Sequence, residues 1–467
     1  YNMLFKPKKP QYTGSSKVYF LKQGYNINVV GAASKSSTSN EWIKTFGIQP
    51  PNFRGIVPIP KVVVEEGDQV LAGDLLFYDK KRPELKFVSP VSGKVVGVQR
   101  GLRRSIKEIV VEFDGDIKYK QLNPPDFNKC KREDLVEFLL DAGAWPFIRQ
   151  RPYNEVADKT SVPKNIFIST FDTAPLAPDL NFIIQEKGDA FQTGLDVLTK
   201  LTPGSVHVGL DANGKVAPAA AFRSAENVKK HYFNGKHPVG NVGVQIHHVA
   251  PIRGNDKVWT LNVQDVAMIG DLFNKKVFNA ERTVAIVGSE VRGPKYIHTY
   301  IGAKISELLN DEVVNTNVRY ISGDVLSGEQ KIKGEFLNAF DDQLTVIPEG
   351  NAFEMFGWLF PGTNRPSISK TYLNHIFRNR IFNVTTNTRG EKRSFVVTGE
   401  YESVLPMNIL PQHLMKAIVT SDIEQMEGLG INELEGEDIA ICEFACTSKQ
   451  PLQQILHEGQ EMLIEQA

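Results

Sequence analysis

The chain has 467 residues, and 54 lysines and arginines balance 54 aspartates and glutamates. A chain of this length is too long for a single hydrophobic core, so about two to four domains are expected. The balanced charge argues against a nucleic-acid-binding protein, since that class usually carries a basic excess. No apolar run approaches the roughly 18 residues that a membrane-spanning helix needs, and no signal-peptide pattern opens the chain. We therefore expect no direct transmembrane insertion, and we expect Met3 to be the natural start.

The first 50 residues are polar and rich in glycine, serine, lysine and asparagine. Two short apolar stretches, at 17–21 and 27–30, have the composition of strands, and Gly24 and Gly31 are placed to turn the chain after them. We expect residues 1–50 to form N-terminal strands that pack on the domain that follows.

Residues 51–120 repeat one pattern, in which short apolar strands are separated by glycine turns such as those at Gly67 and Gly73. This pattern is typical of a flattened barrel of hairpins, and it resembles the barrel-sandwich hybrid of biotinyl and lipoyl carrier domains. Carriers display one modifiable lysine on a hairpin, whereas the hairpin here shares only Asp79 and Lys80 with the lipoyl motif. We therefore expect a structural barrel with no covalently bound cofactor.

Residues 121–278 alternate strands with helices, which predicts a Rossmann-like α/β domain, because parallel neighbouring strands need crossover connections. In such sheets ligands bind beyond the carboxyl ends of the strands. The predicted elements are a helix at 131–142, a strand at 165–170, a helix at 189–201, a strand at 205–210, a helix at 221–233, a third strand running from the turn at 235–240 to His248, and a strand followed by a helix at 259–273.

The first turn of this predicted domain lacks the glycine fingerprint of dinucleotide-binding folds. Such folds hold pyrophosphate against closely approaching backbone amides, but residues 174–178 here contain Pro175 and Pro178, which have no amide hydrogen. Asp172, just beyond the first strand, is interpreted as capping this turn through a bond to the backbone. The sequence thus predicts a nucleotide-type architecture without its phosphate-binding chemistry.

Two further domains are predicted after residue 278. Residues 279–365 follow a strand, helix and strand plan that resembles the β-grasp of the soluble-ligand-binding (SLBB) type, and the aromatic stretch at 355–360 has the composition of an interface patch. Helical periodicity dominates residues 366–467.

Cys130, Cys442 and Cys446 are the cysteines of the chain, which fits a reducing compartment without a disulfide framework. Cys442 and Cys446 lie on one face if their segment is helical. A four-cysteine metal cluster needs two further ligands that the neighbourhood does not supply, so we expect no metal site and interpret the two thiols as buried and unpaired. Their role stays open.

The order of these features resembles one family over nearly the whole chain. The stretches that carry the resemblance are residues 87–93, 235–248, 259–270, 320–328 and 441–446. Together they are similar to the NqrA family, a component of the bacterial sodium-translocating NADH:quinone oxidoreductase. The architecture is also similar to the RnfC component of the Rnf complex and to the flavoprotein of respiratory complex I, but this sequence lacks their glycine-rich cofactor loops and iron–sulfur cysteines.

The resemblance implies a peripheral subunit that partner subunits hold on the cytoplasmic face of the bacterial inner membrane. The complex as a whole would be the enzyme, coupling NADH oxidation and quinone reduction in the respiratory chain to sodium export. This chain would contribute to quinone binding, complex assembly or both, with no catalytic residue of its own. Other subunits and quinone are the implied partners, and neither FMN nor NADH is expected on this chain.

A quinone needs a hydrogen-bond partner at its carbonyl oxygens and an apolar slot for its ring. We predict a quinone-facing set of His237, His248 and Phe233. His247 is left out because successive residues of a strand point to opposite faces, which also argues against a metal site at His247 and His248. The competing interpretation is that these histidines only cap and pack the fold.

Two other functions compete with this one. The first is a flavin- and NADH-binding dehydrogenase like the complex I flavoprotein, against which the 174–178 turn argues. The second is a biotin or lipoyl carrier, which would require modification of Lys80.

Overall fold

The structure is a computed structural model that describes residues 8–38, 42–55, 60–101, 105–351, 365–368 and 380–466. The predicted aromatic patch at 355–360 lies outside the described residues. The strands are, in chain order, β1 Val18–Phe20, β2 Ser34–Thr38, β3 Thr45–Ile48, β4 Pro60–Val62, β5 Gln69–Val70, β6 Leu75–Asp79, β7 Lys86–Val88, β8 Gly93–Arg100, β9 Ile106–Phe113, β10 Arg149–Arg151, β11 Glu155–Val156, β12 Asn165–Ser169, β13 Val206–Asp211, β14 Lys229–Asn234, β15 Val258–Thr260, β16 Glu281–Val287, β17 Lys295–Tyr300, β18 Val318–Ser322, β19 Glu329–Lys331 and β20 Gln343–Pro348. The α-helices are α1 Arg132–Asp141, α2 Leu180–Ile183, α3 Gly188–Thr199, α4 Ala220–Arg223, α5 Val242–Val249, α6 Val263–Asn274, α7 Ile305–Leu309, α8 Glu400–Val404, α9 Pro411–Val419, α10 Ile423–Gly428, α11 Gly436–Ala445 and α12 Leu452–Gln466.

A seven-stranded sheet forms the centre of the protein, in the order β1-β14-β13-β12-β15-β10-β11. Strands β14, β13, β12 and β15 are parallel, and the chain moves outward from β12 to β14 before it returns to the other side of β12 at β15. This reversal of direction beside β12 is the topological switch point of a doubly wound sheet, the place where such folds bind ligands. The Rossmann-like prediction is therefore confirmed, as are the predicted strands at 165–170 and 205–210 and the predicted helix at 189–201.

Two predicted elements of this domain are wrong. The helix predicted at 221–233 is the short α4, which ends at Arg223, followed by the strand β14. Asn227, between the two elements, adopts a left-handed backbone conformation (φ 60°) that a continuous helix through residue 233 could not contain. The strand predicted to end at His248 is instead the helix α5. Its residues Val242, Ile246 and Val249, spaced three and four apart, pack against one apolar cluster on the sheet.

The barrel predicted at 51–120 is present as two small antiparallel sheets, β3-β9-β8-β5 and β4-β6-β7. Phe77 and Phe87 stack with ring centroids 4.5 Å apart. The hairpin that a carrier domain would modify connects β6 to β7. There the buried Asp79 accepts hydrogen bonds from Lys81 N and from Arg82 Nε, both at 3.0 Å, so the aspartate shapes the turn.

A six-stranded sheet, β19-β18-β20-β16-β17-β2, forms the predicted β-grasp. Strand β2 belongs to this sheet, so the expectation that the N-terminal strands pack on the barrel is wrong for β2. Of these strands only β3 pairs within the barrel, at β9, while β1 pairs with β14 and β2 pairs with β17. The stretch at 27–30 forms only an isolated bridge from Val29 to Phe382. The domain boundaries after residues 50, 120, 278 and 365 stay predictions.

Helices α8 to α12 form the predicted helical region, with a hydrophobic cluster of their own that also takes in Val244 of α5. Cys442 lies in α11 and Cys446 caps its end, both are buried, and all three cysteines are free. This agrees with the interpretation of the pair as buried, unpaired thiols. No helix in the described part of the chain has the length and apolar character that a membrane crossing requires.

The burial of the two thiols of α11 gives a testable expectation for cysteine reactivity. Tyr401 donates its hydroxyl to Cys446 Sγ at 2.9 Å, and burial raises the pKa of Cys442. Because the thiolate is the reactive species, we expect thiol titration at mildly alkaline pH to modify only the half-exposed Cys130 in the native protein, and all three cysteines in denaturant. If mass mapping located a label on Cys442 or Cys446 of the native protein, this expectation would be contradicted.

Candidate functional site at the switch point of the central sheet

A cavity of about 360 Å³ lies beyond the carboxyl ends of β12 and β15. The sheet contributes residues between Ser169 and Asp172 after β12 and between Thr260 and Val263 after β15, the two strands on either side of the switch point. The β-grasp closes a second side with residues from 323–327 and 340–343, and α11 closes a third with Glu437 and Ala440. Three of the predicted domains therefore build one site.

In the first turn of the site, aspartate carboxylates of the protein accept the free backbone amides. Asp172 Oδ1 accepts the amide of Ala174 at 2.8 Å, which confirms the predicted turn cap. The following helix α2 begins after Asp179, whose carboxylate accepts the amide of Asn181 at 3.0 Å and pairs with Lys35 at 2.5 Å. In a dinucleotide-binding fold a phosphate takes this position at the helix N-terminus, whereas here these two amides are already used by protein groups.

His237 lies at the wall of the cavity and is buried. Its Nδ1 is 3.2 Å from Thr173 Oγ1, and that hydroxyl oxygen already accepts the amide of Gly240 at 3.0 Å. When the Thr173 hydroxyl donates its hydrogen to His237 Nδ1, the ring hydrogen of the neutral histidine lies on Nε2. This Nε2 has no hydrogen-bond partner among the described residues.

The position of His237 is fixed by its neighbours. Its amide donates to Asn26 Oδ1 at 2.8 Å and its carbonyl accepts Tyr25 N at 2.9 Å. Gly240 fits because a Cβ there would meet Thr173 N at 2.7 Å. Burial lowers the pKa of His237 to about 4, so the ring is neutral at physiological pH, and in the tautomer with the hydrogen on Nε2 it presents a single N–H donor to the cavity.

Carboxylates dominate the charge of the cavity: Asp172, Asp265, Asp324, Asp341, Asp342 and Glu437. Burial raises the pKa of the half-buried Asp341 to about 6, with Asp342 and Asp324 adding to the effect. Asp341 holds a proton at mildly acidic pH, so the site offers a hydrogen-bond donor where an ordinary aspartate would offer none. The side chain of Asp172 is exposed at the edge of the cavity.

Two arginines of β10 line the same cavity. Arg149 donates to Asn154 O and lies over the ring of Phe340, 4.4 Å from its centroid, and burial lowers its pKa to about 10. Arg151 pairs with Glu437 at 2.8 Å and with Asp438 at 3.2 Å, so its charge is neutralised. The apolar part of the lining comes from the aromatic and aliphatic side chains of Phe147, Phe171, Leu180, Leu261, Leu326 and Phe340.

The structure separates His237 from the other two residues of the predicted quinone-facing set. Phe233 is fully buried, packs with Phe171 behind the cavity wall and stacks on Tyr19 at 4.9 Å. His248 Nε2 donates to Pro406 O at 2.7 Å. Neither residue is among the described residues that line the cavity. The quinone-facing role of all three stays a prediction.

His247 and His248 are neighbours on α5, so the strand argument that separated them is wrong. His247 accepts Asn408 N at its Nε2 (3.0 Å), which places the ring hydrogen on Nδ1, 2.8 Å from Glu433 Oε2. Both rings therefore serve the contact with the helical region. Within the described residues, no group of three or more His, Cys, Asp or Glu side chains is arranged to hold a metal ion.

Sequence reasoning missed most of the cavity lining. Asp341 and Asp342 follow the last loop of the β-grasp, and Glu437 opens α11, between about 170 and 270 positions after Asp172. The adjacent aspartates at the end of a loop were the available signal, since carboxylates with perturbed pKa values concentrate at ligand sites.

The three domains that build and flank this site match family models in the same order. Residues 19–114 match the NqrA N-terminal barrel-sandwich hybrid domain, residues 130–278 match the NqrA second alpha/beta domain, and residues 283–332 match the NqrA C-terminal domain of the SLBB type. The NqrA protein of the Na(+)-translocating NADH-quinone reductase of Vibrio atlanticus is 36% identical over 441 residues, which cover 94% of this chain and 97% of that protein. The chain belongs to the NqrA family.

Other NqrA relatives match over the same length. The NqrA protein of Neisseria meningitidis serogroup B is 35% identical over 432 residues, 92% of this chain and 95% of that protein. The matches confirm the resemblance drawn from the joint motifs, as well as the barrel-sandwich hybrid, α/β and SLBB assignments. Among solved structures, an NAD+-reducing [NiFe]-hydrogenase in the H2-reduced state aligns at 10% identity over 75% of this chain and 67% of that chain, with a TM-score of 0.37, a level of similarity that assigns nothing to this NqrA chain.

Proposed function

We propose that this protein is the peripheral NqrA subunit of a Na+-translocating NADH-quinone reductase, held on the cytoplasmic face of a bacterial inner membrane by its partner subunits. The observation that carries the proposal is the full-length match to proteins of that complex, at 36% identity over 94% of this chain. Sodium export driven by NADH oxidation belongs to the whole complex. The isolated chain is not catalytic and contributes quinone binding and assembly.

The cavity at the switch point supports a quinone as its ligand. A quinone ring is neutral, carries two carbonyl acceptors and needs apolar contact. His237 Nε2 has no hydrogen-bond partner among the described residues, Asp341 carries a proton at mildly acidic pH, and three phenylalanines line the walls. With its ring hydrogen on Nε2, His237 donates to one carbonyl oxygen of the quinone, and the protonated Asp341 is available for the other.

The same lining disfavours FMN and NADH. Both ligands carry phosphate, and the other carboxylates of the cavity, among them Asp324 and Asp342, would repel it across a cavity of this size. The amides of Ala174 and Asn181 are occupied by aspartate side chains. For these reasons the proposal places neither cofactor on this chain.

The quinone part of the proposal predicts the effect of removing the His237 ring. A photoreactive short-chain ubiquinone should label peptides from 169–174, 237–242 and 340–343 in the purified chain and again in the membrane complex. His237→Ala should lower quinone affinity about tenfold, the factor that corresponds to about 1.4 kcal/mol for one buried hydrogen bond. Isothermal calorimetry with the same quinone measures it.

The exposed His457 of α12 is the matched control, since His457→Ala removes the same ring far from the cavity. Thr173→Val, which removes the hydroxyl that bonds to His237 Nδ1, should weaken binding less than His237→Ala. Labelling confined to other peptides, with unchanged affinity in His237→Ala, would refute the quinone site. Failure of the tagged chain to co-purify with an NADH-oxidising membrane complex would refute the assignment to the complex separately, and tight FMN retention with NADH oxidation by the isolated chain would refute both.

A further inference from the structure

A row of aromatic rings crosses one face of the central sheet, on the side where α5 packs. Phe167 of β12 stacks on His207 of β13 at 4.4 Å, and His207 stacks on His231 of β14 at 5.1 Å. Tyr19 of β1 follows, 6.2 Å from His231. Helix α5 packs on the sheet at β12, whereas His231 and Tyr19, at the far end of the row, are only half-buried.

A directed hydrogen-bond chain runs through this row. Asn165 Oδ1, which also accepts Ser205 N at 3.1 Å, lies 3.2 Å from His207 Nε2, so the neutral His207 carries its hydrogen there. Its Nδ1 is then an acceptor, and His231 Nε2, at 2.9 Å, donates to it. The remaining nitrogen of His231, Nδ1, is left as an unprotonated acceptor at the solvent side of the row.

Two lysines lie near His231 on the same face of the sheet, and both act electrostatically on it. Val18 pairs with Tyr232 in parallel register and Tyr232 N donates to Lys17 O at 3.3 Å, so the Cα of Lys17 lies beside that of His231 on the adjacent strand, roughly 5 Å away. Lys229 is two residues before His231 on the same strand and shares its face, with the two Cα atoms roughly 7 Å apart. Lys17 Nζ is held 4.1 Å from the centre of the Tyr19 ring, and both lysines are exposed.

We propose that Lys17, His231 and Lys229 form a binding site for a single oxyanion, the phosphate or sulfate-like head of a ligand. Three nitrogen-bearing side chains leave the backbone within one strand spacing and two residues of each other, which lets them reach one compact anion with several oxygens. None of the three lines the cavity, so this site is separate from the proposed quinone site.

The surrounding charges favour an anion and link its binding to a proton. Burial lowers the pKa of His231, and the nearby charges that add to this effect are Lys17 and Lys229; no carboxylate acts on it among the described residues. Of the other titratable groups at the row, His207 is buried with a pKa lowered to about 4, and His248 of α5, whose ring lies 6.3 Å from that of Tyr19, also has a pKa lowered by burial. An anion at the site compensates the two lysines, so His231 takes up a proton at Nδ1 and donates it to the ligand. Affinity should therefore rise as the pH falls.

Sulfate is the probe, because its charge stays constant over the pH range of the test. In the full chain labelled at its nine histidines, saturating sulfate should raise the nuclear magnetic resonance titration midpoint of His231 by about 1 pH unit. Sulfate affinity should be higher at about pH 5.5 than at about pH 8. Lys17→Ala and Lys229→Ala should each lower it about fivefold, and His231→Gln should remove its pH dependence. Lys215→Ala, which removes an exposed lysine on another loop, is the control and should change nothing.

Vesicles distinguish the two sources of such an anion. Binding to vesicles of phosphatidylcholine with phosphatidylglycerol, lost in Lys17→Ala and Lys229→Ala, would assign the site to a lipid head group. Sulfate binding without vesicle binding would assign it to a soluble phosphorylated ligand. A His231 midpoint that ignores sulfate, or sulfate affinity equal in the lysine variants and in Lys215→Ala, would overturn the proposal.

Discussion

Arg151→Met is expected to lower the free energy of unfolding by about 3–5 kcal/mol, the cost of leaving a buried charge without its partner. Arg151 is 2% exposed and its Nη1 lies 3.2 Å from Asp438 Oδ2, on a side chain that is fully buried. Burial alone would lower the pKa of Arg151, but Asp438, Glu435 and Glu437 raise it, so the guanidinium stays charged. Without it, the Asp438 carboxylate keeps only the Glu435 amide, at 3.1 Å. Denaturant unfolding of the purified chain measures the loss.

Two comparisons separate this cost from loss of packing. Asp438→Asn retains an oxygen for the Glu435 amide and removes the charge, so Arg151→Met combined with Asp438→Asn should lose less stability than Arg151→Met alone. Lys164→Met breaks a pair with Asp256 in which the lysine is 52% exposed, and it should cost no more than about 1 kcal/mol. Equal losses in Arg151→Met and Lys164→Met would contradict a buried, structural ion pair between β10 and α11.

The order of domains could be predicted because each has a local signature. Glycine turns between short apolar strands marked the barrel, and the alternation of strands and helices marked the doubly wound sheet. Two elements were predicted wrongly because their apolar residues fit both the helical and the strand period. In α5, apolar Val242, Val244 and Ile246 alternate like a strand, while Val242, Ile246 and Val249 repeat like a helix. Short segments of this kind are decided by tertiary packing, here by the cluster around Phe167.

The reverse error occurred at β14. Phe222, Ala225, Val228 and Tyr232 recur at nearly helical spacing, but β13 needs a parallel neighbour to pair its outer backbone groups, and β14 supplies it. Once β14 is a strand, His231 and Phe233 share one face with Tyr19, a grouping that a helix would have scattered.

The candidate site was predictable only in its location. The carboxyl end of the first parallel strand identified Asp172, because the switch-point rule depends on topology alone. His237 was predicted from its glycine-bearing turn, which the sequence placed before a strand and the structure places after β14. The carboxylates of Asp341 and Glu437 come from other domains, and their approach depends on how the β-grasp and the helical region dock on the sheet. Phe233 and His248 were assigned to the same pocket as His237 on the wrong secondary structure, and neither is among the described residues that line the cavity.

Helices α3 and α6 of the central domain approach so closely that glycine is needed on both. A Cβ at Gly194 of α3 would lie 2.0 Å from Val266 O, and a Cβ at Gly270 of α6 would lie 1.8 Å from Ala190 O. Both contacts are with backbone carbonyl oxygens, which move only if a whole helix moves. Because α3 and α6 share the core that holds β12 and β13 in place, their separation would also disturb the edge of the sheet where the cavity lies.

Gly270→Ala should therefore lower the free energy of unfolding by about 3 kcal/mol or more, the upper range for overpacking a well-packed core. The direction of this change in the free energy of unfolding is informative, because alanine is intrinsically favoured over glycine in a helix by about 1 kcal/mol. Gly428→Ala, at the last residue of α10 where a Cβ meets nothing within 4 Å, isolates that intrinsic gain and should leave stability unchanged or raise it by up to about 1 kcal/mol. Denaturant unfolding of both variants gives the comparison. If Gly270→Ala proved as stable as Gly428→Ala, the close crossing of α3 and α6 would not be what requires glycine at position 270.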